Sequence, residues 1–323
     1  MDAALIFTAV LTLLICFFGL IGNALCLLVL LHKDMGNSSY VFLLQGLTVS
    51  DILLLTISTL RTFSNLHFVN IGNPHLQTFF FFWDWICTSG TKFYTVAISL
   101  ERFFVITFPL VAHRVVTVKR SKLFALSVLV FVILLSCFSY LYSCCIDKGS
   151  FNIYVAIVLH FLPFTIVLIL NVFIFIGIRN FRALRRSVKK PSENSEDESA
   201  SIMLFAVVVV FGFCYSFEFI RRIMNYISPE YMTQWKHYDY PINHLADIFY
   251  VLNSSVNFLI YCLLGSTFRA VFLKIFRARF GWLREKFGEE KTENSVVSRS
   301  EASKVSQSSS SLAVSKECGL DEI

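Results

Sequence analysis

Seven apolar runs set the plan of the chain: Ala3 to Leu31, Tyr40 to Leu66, Leu76 to Phe108, Leu123 to Ile146, Phe151 to Phe181, Ile202 to Ile227 and Ile242 to Leu264. A helix of about 20 apolar residues crosses the hydrocarbon core of a bilayer, and every run reaches that length. The pattern predicts an all-α membrane protein, a bundle of seven transmembrane helices. The first run has no basic segment before it and exceeds the roughly 7 to 15 apolar residues of a signal peptide, so it is expected to stay as an uncleaved span. After Gly265, residues Phe268, Val271, Phe272, Ile275 and Phe276 share one side of a helical projection with basic residues around them. That pattern predicts an amphipathic eighth helix lying on the membrane lipids. Beyond Glu289 the chain is rich in serine and is expected to be disordered. The expected divisions are residues 1–264 for the seven-span domain, 265–288 for the amphipathic helix and juxtamembrane segment, and 289–323 for the tail.

The third run is not uniformly apolar. Asp84, Thr88, Thr91, Thr95, Ile98 and Arg102 follow at offsets of 4, 7, 11, 14 and 18, so at about 3.6 residues per turn they project on one side of a helix. Ionised groups near the bilayer centre cost roughly 2.5 to 3.5 kcal/mol each on insertion scales. The seam is therefore expected to face other helices or a wet cavity.

Composition agrees with the pattern. Of 323 residues, 56% are hydrophobic, 35 are Phe and only 15% are charged, which is far more apolar surface than a water-soluble fold could hide. Charge adds the topology. Lys33, Arg114, Lys119, Arg120, Lys122, Arg179, Arg182 and Arg186, with the basic residues after Gly265, all fall on connections of one side, and only Lys148 and Lys236 fall on the other. By the positive-inside rule the amino terminus is expected outside and the carboxyl terminus in the cytoplasm, in a multi-pass protein of the plasma membrane. The net charge of +6 then follows from topology, and no nucleic-acid partner is needed. The nine cysteines are scattered, mostly within the spans, and no spacing suggests zinc.

Isolated polar groups in apolar runs mark functional candidates. Asp51 has no charged neighbour in about a dozen residues. Asn23 is a lone amide, suited to an interhelical hydrogen bond. Arg61, Asp84, Glu218, Arg221, Arg222 and Asp247 recur in what should be the outer halves of the spans, with Glu218 and Arg222 spaced as an i, i+4 pair. Pro163 is expected to bend the fifth span. Lys92, in mid-membrane, is expected to be neutral or paired with an interior acid, because an isolated ammonium there is costly.

Glu101-Arg102-Phe103, followed by Pro109-Leu110, resembles the third-helix signature of rhodopsin-like (class A) G-protein-coupled receptors. Asn257-Phe258-Leu259-Ile260-Tyr261 stands where that family has Asn-Pro-x-x-Tyr. With Asn-Ser-Ser-Val before it, Cys262 after it and Leu162-Pro163-Phe164 in the fifth span, it is most similar to invertebrate FMRFamide-type neuropeptide receptors. The resemblance implies the following roles. Asp51, Thr91, Asn253 and Asn257 match the family's sodium site, the only cofactor expected; oxygen ligands suit such a hard cation. Glu101, Arg102, Tyr261, Pro163 and Phe211 match the switch that couples to a heterotrimeric G protein. Asp197 falls where many members place an acid that bridges to the helix-three Arg. Ser308, Ser309, Ser310 and Ser311 suit phosphorylation by a receptor kinase and arrestin recruitment.

Departures from the family pattern are equally specific. The cysteine that usually pairs with the second outer loop would fall at Gln77, whereas Cys87 lies ten residues further along. Cys144 and Cys145 are thus expected to lack the usual bridge, and the segment Asp147 to Asn152 is read as a short loop held in some other way. The sixth span reads Cys214-Tyr215-Ser216-Phe217 without the usual Trp and Pro, leaving Gly212 as the nearest flexible point.

For the ligand, Asp84, Arg61, Glu218, Arg222 and Asp247 suggest a peptide carrying basic groups. An amine or other small molecule held by Asp84 is the alternative, and a non-signalling seven-span decoy or a transporter-like protein is another. An enzyme is not expected, because no nucleophile, base and orienting group recur at one depth and the seven His are dispersed. Retinal chemistry would need a Lys in the seventh span where Val251 stands.

Overall fold

The computed structural model describes residues 3–35, 39–66, 74–146, 148–188, 195–227, 241–279 and 281. The helices are α1 (Ala3–Leu30), α2 (Ser39–Asn65), α3 (Pro74–Thr107), the short α4 (Pro109–Val115), α5 (Val118–Cys145), α6 (Lys148–Tyr154), α7 (Leu162–Val188), α8 (Ser195–Ile227), α9 (Pro241–Ser255) and α10 (Asn257–Leu264). A π-helical segment, Val155–Phe161, joins α6 to α7. All seven apolar runs are helical, with α6, the π segment and α7 forming the fifth span and α9 with α10 the seventh.

Four helical stretches are apolar and long enough to cross a membrane by length and composition: Ile6–Leu30, Tyr40–Ser64, Val118–Cys145 and Val155–Arg179. The pair Asn243–Ser255 and Asn257–Leu264, bent by 43°, adds a fifth. The other two spans, α3 and α8, carry the charges: Asp84, Lys92, Glu101 and Arg102 on one, Glu218, Arg221 and Arg222 on the other. Those charges turn inward. Lys92, Arg102, Glu101 and Glu218 are buried, as are Thr91, Thr95 and Ile98 of the seam. Outward-facing positions are apolar instead, including Phe17, Phe18 and Leu28 on α1 and Leu123, Leu126, Leu134 and Leu141 on α5. This is the inside-out arrangement that a hydrocarbon solvent selects.

Burial separates central from peripheral helices. The spanning window of α2 is 56% buried and that of α5 only 22%, so α2 sits in the middle and α5 at the rim. Close approach depends on small residues. A Cβ at Gly19 of α1 would overlap the Ser255 side chain of α9 and Leu55 of α2. Nearby, the Asn23 amide donates to Ser254 O at 2.8 Å and to Gly19 O at 2.9 Å, giving the interhelical bond expected of it.

One local expectation is corrected. The short loop expected from Asp147 to Asn152 is helical from Lys148 onward, so the chain passes from α6 through the π segment into α7. Phe151 stacks on Trp85 of α3 at 5.4 Å between centroids, and Tyr154 packs on Tyr142 of α5 at 4.8 Å. Those aromatic contacts outweigh the turn propensity of Gly149 and Asn152. At Gly212, the nearest flexible point expected in the sixth span, α8 is continuous, and a Cβ there would overlap the Phe164 ring. Cys87 is buried, Cys144 and Cys145 are exposed, and all three are free thiols.

The chain divides into a unit of Met1–Val271 and a second of Phe272–Ile323. In the first, the chain after Gly265 is again helical, with Phe268 and Val271 buried. In the second, residues 272–279 are helical, and the Phe272 and Phe276 rings stack at 6.1 Å. Ser308 to Ser311, the serines expected to be phosphorylated, lie outside the described residues.

Candidate functional site

The ionisable side chains that the sequence scattered over four spans meet around one cavity of about 120 Å³. Arg61 comes from α2, Asp84 from α3, Glu218, Arg221 and Arg222 from α8, and Asp247 from α9. Each carboxylate faces a guanidinium. Asp84 Oδ2 lies 3.5 Å from Arg61 Nη1, and its Oδ1 accepts from the Tyr250 hydroxyl at 3.2 Å. Thr88 in turn hydrogen-bonds the Tyr250 hydroxyl. Glu218 pairs with Arg222 Nε at 3.0 Å and with Arg221, and Arg221 Nη1 reaches Asp247 Oδ1 at 3.1 Å. Charge-assisted contacts of this kind are what make buried ions tolerable.

Below this layer Lys92, 1% exposed, also lines the cavity. Of the two states expected for it, neutral or paired with an interior acid, the second has no acid within ion-pair reach among the described residues; instead Nζ lies 3.2 Å from Nδ1 and 3.4 Å from Nε2 of His160. The ammonium also sits 4.7 Å from the centroid of Tyr215. His160 is delivered by the π segment. Pro163 has no N–H to donate, and the chain relaxes into wider turns before it, with Leu162 N–H bonding to Ile157 O. Sequence reasoning missed His160, Tyr215 and Tyr250. A lone His three residues before a helix-bending Pro, in an otherwise apolar run, was the available signal.

Tyr215 leads on to Phe211 and Pro163, two positions expected to belong to a switch. Phe211 packs on Tyr215 at 4.6 Å and on Phe164, next to the buried Pro163, at 6.5 Å between centroids. Asn171 of α7 donates to Ser99 Oγ of α3 at 3.1 Å.

Asp51 is wholly buried at the centre of a second polar group. Thr91 Oγ1 donates to its Oδ1 at 2.8 Å and Asn257 Nδ2 to its Oδ2 at 2.7 Å. Asn253 is buried on the same helix as Ser254 but makes no hydrogen bond to Asp51. The Ser254 hydroxyl, also buried, lies beside the same carboxylate. A buried carboxylate with no ion pair among the described residues, together with hydroxyl and amide oxygens, has the donor chemistry that a hard monovalent cation takes.

At the far end of α3, Arg102 is 3% exposed and its guanidinium lies 3.8 Å from the centroid of the Tyr40 ring on α2. Glu101 is buried beside it. Tyr261, 1% exposed, packs edge-on against Phe268 at 5.6 Å. The side chain of Asp197 lies outside the described residues, so its bridge to Arg102 has no observation here. One protein thus carries a charged cavity at the Asp84 end, a polar core around Asp51, and a buried arginine about 27 Å away by helical rise along α3.

Comparison with known proteins agrees with this layout. The sequence model for "7 transmembrane receptor (rhodopsin family)" matches residues 22–261. The chain is 26% identical to the FMRFamide receptor of Drosophila melanogaster, an alignment covering 81% of this chain and 52% of that receptor. It is also 26% identical to neuromedin-U receptor 1 of Homo sapiens, over 80% of this chain and 70% of the relative. The chain therefore spans about half the length of the first of these relatives. With its family model covering most of the chain and its charged spans turned into a bundle, this protein belongs to the rhodopsin family of seven-transmembrane receptors.

Proposed function

We propose that the chain is a receptor for an extracellular peptide, whose binding at the Asp84 end promotes nucleotide exchange on a heterotrimeric G protein at the Arg102 end. The observation that carries this reading is the convergence of Arg61, Asp84, Glu218, Arg222 and Asp247 on one cavity. The names of the relatives, receptors for FMRFamide and neuromedin-U, support a peptide. An amine at Asp84 is less well supported, because Arg61 and Tyr250 already occupy that carboxylate. Ligand binding acts by favouring one of two pre-existing states through differential affinity. The asymmetric Lys and Arg distribution supports a plasma-membrane orientation with the amino terminus outside. Arg269, Lys274, Arg277 and Arg279 suit contact with anionic lipid. Ser308 to Ser311 would, once phosphorylated by a receptor kinase, supply the dense negative charge that arrestin reads.

At Asp51 the proposal includes a sodium ion, held by the Asp51 carboxylate with Thr91 and the polar side chains of Asn253, Ser254 and Asn257. Bound there, the ion supplies a positive charge to a buried carboxylate and so favours one packing of α2, α3 and the seventh span.

The test is nucleotide exchange on added G protein by the purified full-length receptor in lipid nanodiscs, screened against amidated and free-acid peptides and biogenic amines. A peptide should stimulate exchange, and Arg102→Ala should abolish the response with surface expression intact. Stimulation by amines alone, or a full response in Arg102→Ala, would overturn the reading.

A further inference from the structure

We propose that the floor of the charged cavity is an anion subsite, in which Lys92 and His160 receive a carboxylate carried by the ligand. The inference rests on reading the cavity as the ligand site. Nothing in the family resemblance or the relatives' names assigns a role to either residue.

Charge pairing around the cavity is uneven. Asp84, Glu218 and Asp247 each have a guanidinium within ion-pair reach, so all three lining acids are matched by arginine. Lys92, on the same wall, has no carboxylate within ion-pair distance among the described residues. In contact with it are the His160 ring at 3.2 Å and the Tyr215 face at 4.7 Å; Glu218, beyond ion-pair reach and already held by two arginines, and Arg222 are the charged groups that act on it from α8. An ammonium has three donors and no acceptor. His160 accepts one of them, and Tyr215 presents only a ring face. An ammonium left in that condition 1% exposed is costly, whereas a carboxylate entering from the cavity would complete both its charge and its hydrogen bonds.

Size and lining narrow the chemistry. A cavity of about 120 Å³ is well below the roughly 300 to 1,000 Å³ of sites that enclose whole drug-sized ligands. A second cavity of about 180 Å³ shares Arg61, Arg221, Asp247 and Tyr250 with it, so the part lined by Lys92 and His160 has room for one terminal group and the adjoining space takes the next part of the ligand. Val155 and Leu159 line it beside His160, and Trp85 lies on the opposite helix. An acid attached to an apolar or aromatic residue fits that mixture. The carboxylate is either a free peptide C-terminus or an acidic side chain next to an apolar residue.

Three small probes separate these sources: N-acetyl-phenylalanine, N-acetyl-phenylalaninamide and the α-amide of N-acetyl-glutamate, whose only carboxylate is on its side chain. Thermal stabilisation of the purified full-length receptor is read against probe concentration, up to the millimolar range, for wild type, Lys92→Met and Lys92→Gln. Two variants are used so that the comparison survives if one folds poorly. At least one acid should stabilise wild type at a concentration about tenfold or more below that of the neutral amide. That preference should vanish in the Lys92 variants, and the stronger acid identifies the source. Equal action of acids and amide on wild type, stabilisation by none of them, or an acid preference that survives both substitutions would overturn the proposal. The stability readout does not depend on signalling. An acid preference that requires Lys92, without any peptide-stimulated exchange, would keep the subsite and sink the peptide-receptor reading.

Discussion

The guanidinium of Arg102 lies 3.8 Å from the centroid of the Tyr40 ring, and this pairing ties the C-terminal part of α3 to the start of α2. A guanidinium over an aromatic face is worth about 0.5–1 kcal/mol when exposed and about 2 when desolvated, as here at 3% exposure. If the contact holds Arg102 in the resting arrangement, Tyr40→Leu should raise basal nucleotide exchange by about five- to thirtyfold, and Tyr40→Phe, which retains the ring face, should raise it less. Equal basal rates in all three proteins would show that Tyr40 does not restrain Arg102.

Asp51 gives a prediction about ions. A ligand that binds only one state stabilises it by mass action, so replacing sodium with N-methyl-D-glucamine at constant ionic strength should lower the thermal stability of the purified wild type. Asp51→Asn keeps the shape but removes the charge and turns one of the two acceptor oxygens into an NH2 donor, and it should abolish the difference between the two salts. A sodium effect that persists in Asp51→Asn would place the ion elsewhere.

What the sequence revealed here, and what it withheld, has a physical pattern. Asp51, Thr91 and Asn257 could be grouped before any coordinates, because a carboxylate in an apolar run has few places to go. The inward side of α3 followed from helical periodicity alone, and Arg61, Asp84, Glu218, Arg222 and Asp247 from the cost of leaving charge in lipid. Pairing was another matter. That Lys92 meets His160 depends on the π turns before Pro163, a register change that no spacing rule announces. A helix begins at Lys148 where a short loop is expected, because the ring contacts of Phe151 and Tyr154 with other helices are not visible along the chain.

Glu218 stands between two arginines, at 4% side-chain exposure against 23% and 25% for its partners. Removing the acid alone leaves two cations facing each other beside Lys92. Breaking a buried pair costs about 3–5 kcal/mol, and the partial exposure of the arginines should reduce this to about 1–3 kcal/mol. Glu218→Gln should therefore lower thermal stability and surface expression. Glu218→Leu combined with Arg222→Met should recover part of the loss, since neither charge is then left alone. A single variant as stable as wild type would mean that the triad does not support the bundle.

Gly212 lies where α8 meets the Phe164 ring, and an added Cβ would overlap that ring. Overpacking a filled site costs about 1–3 kcal/mol, and here the displaced ring stacks on Phe211, which in turn packs on Tyr215 above Pro163. Gly212→Ala should therefore reduce thermal stability by that amount and also alter agonist-stimulated exchange, because the disturbed rings lie between the cavity and Arg102. Combining it with Phe164→Leu makes room for the methyl group and should restore stability. Exchange should then remain altered, because the ring stack is lost. If Gly212→Ala is silent in both measurements, α8 and α7 separate more easily than their packing implies, and the Phe164–Phe211 contact is not part of the path between the two ends.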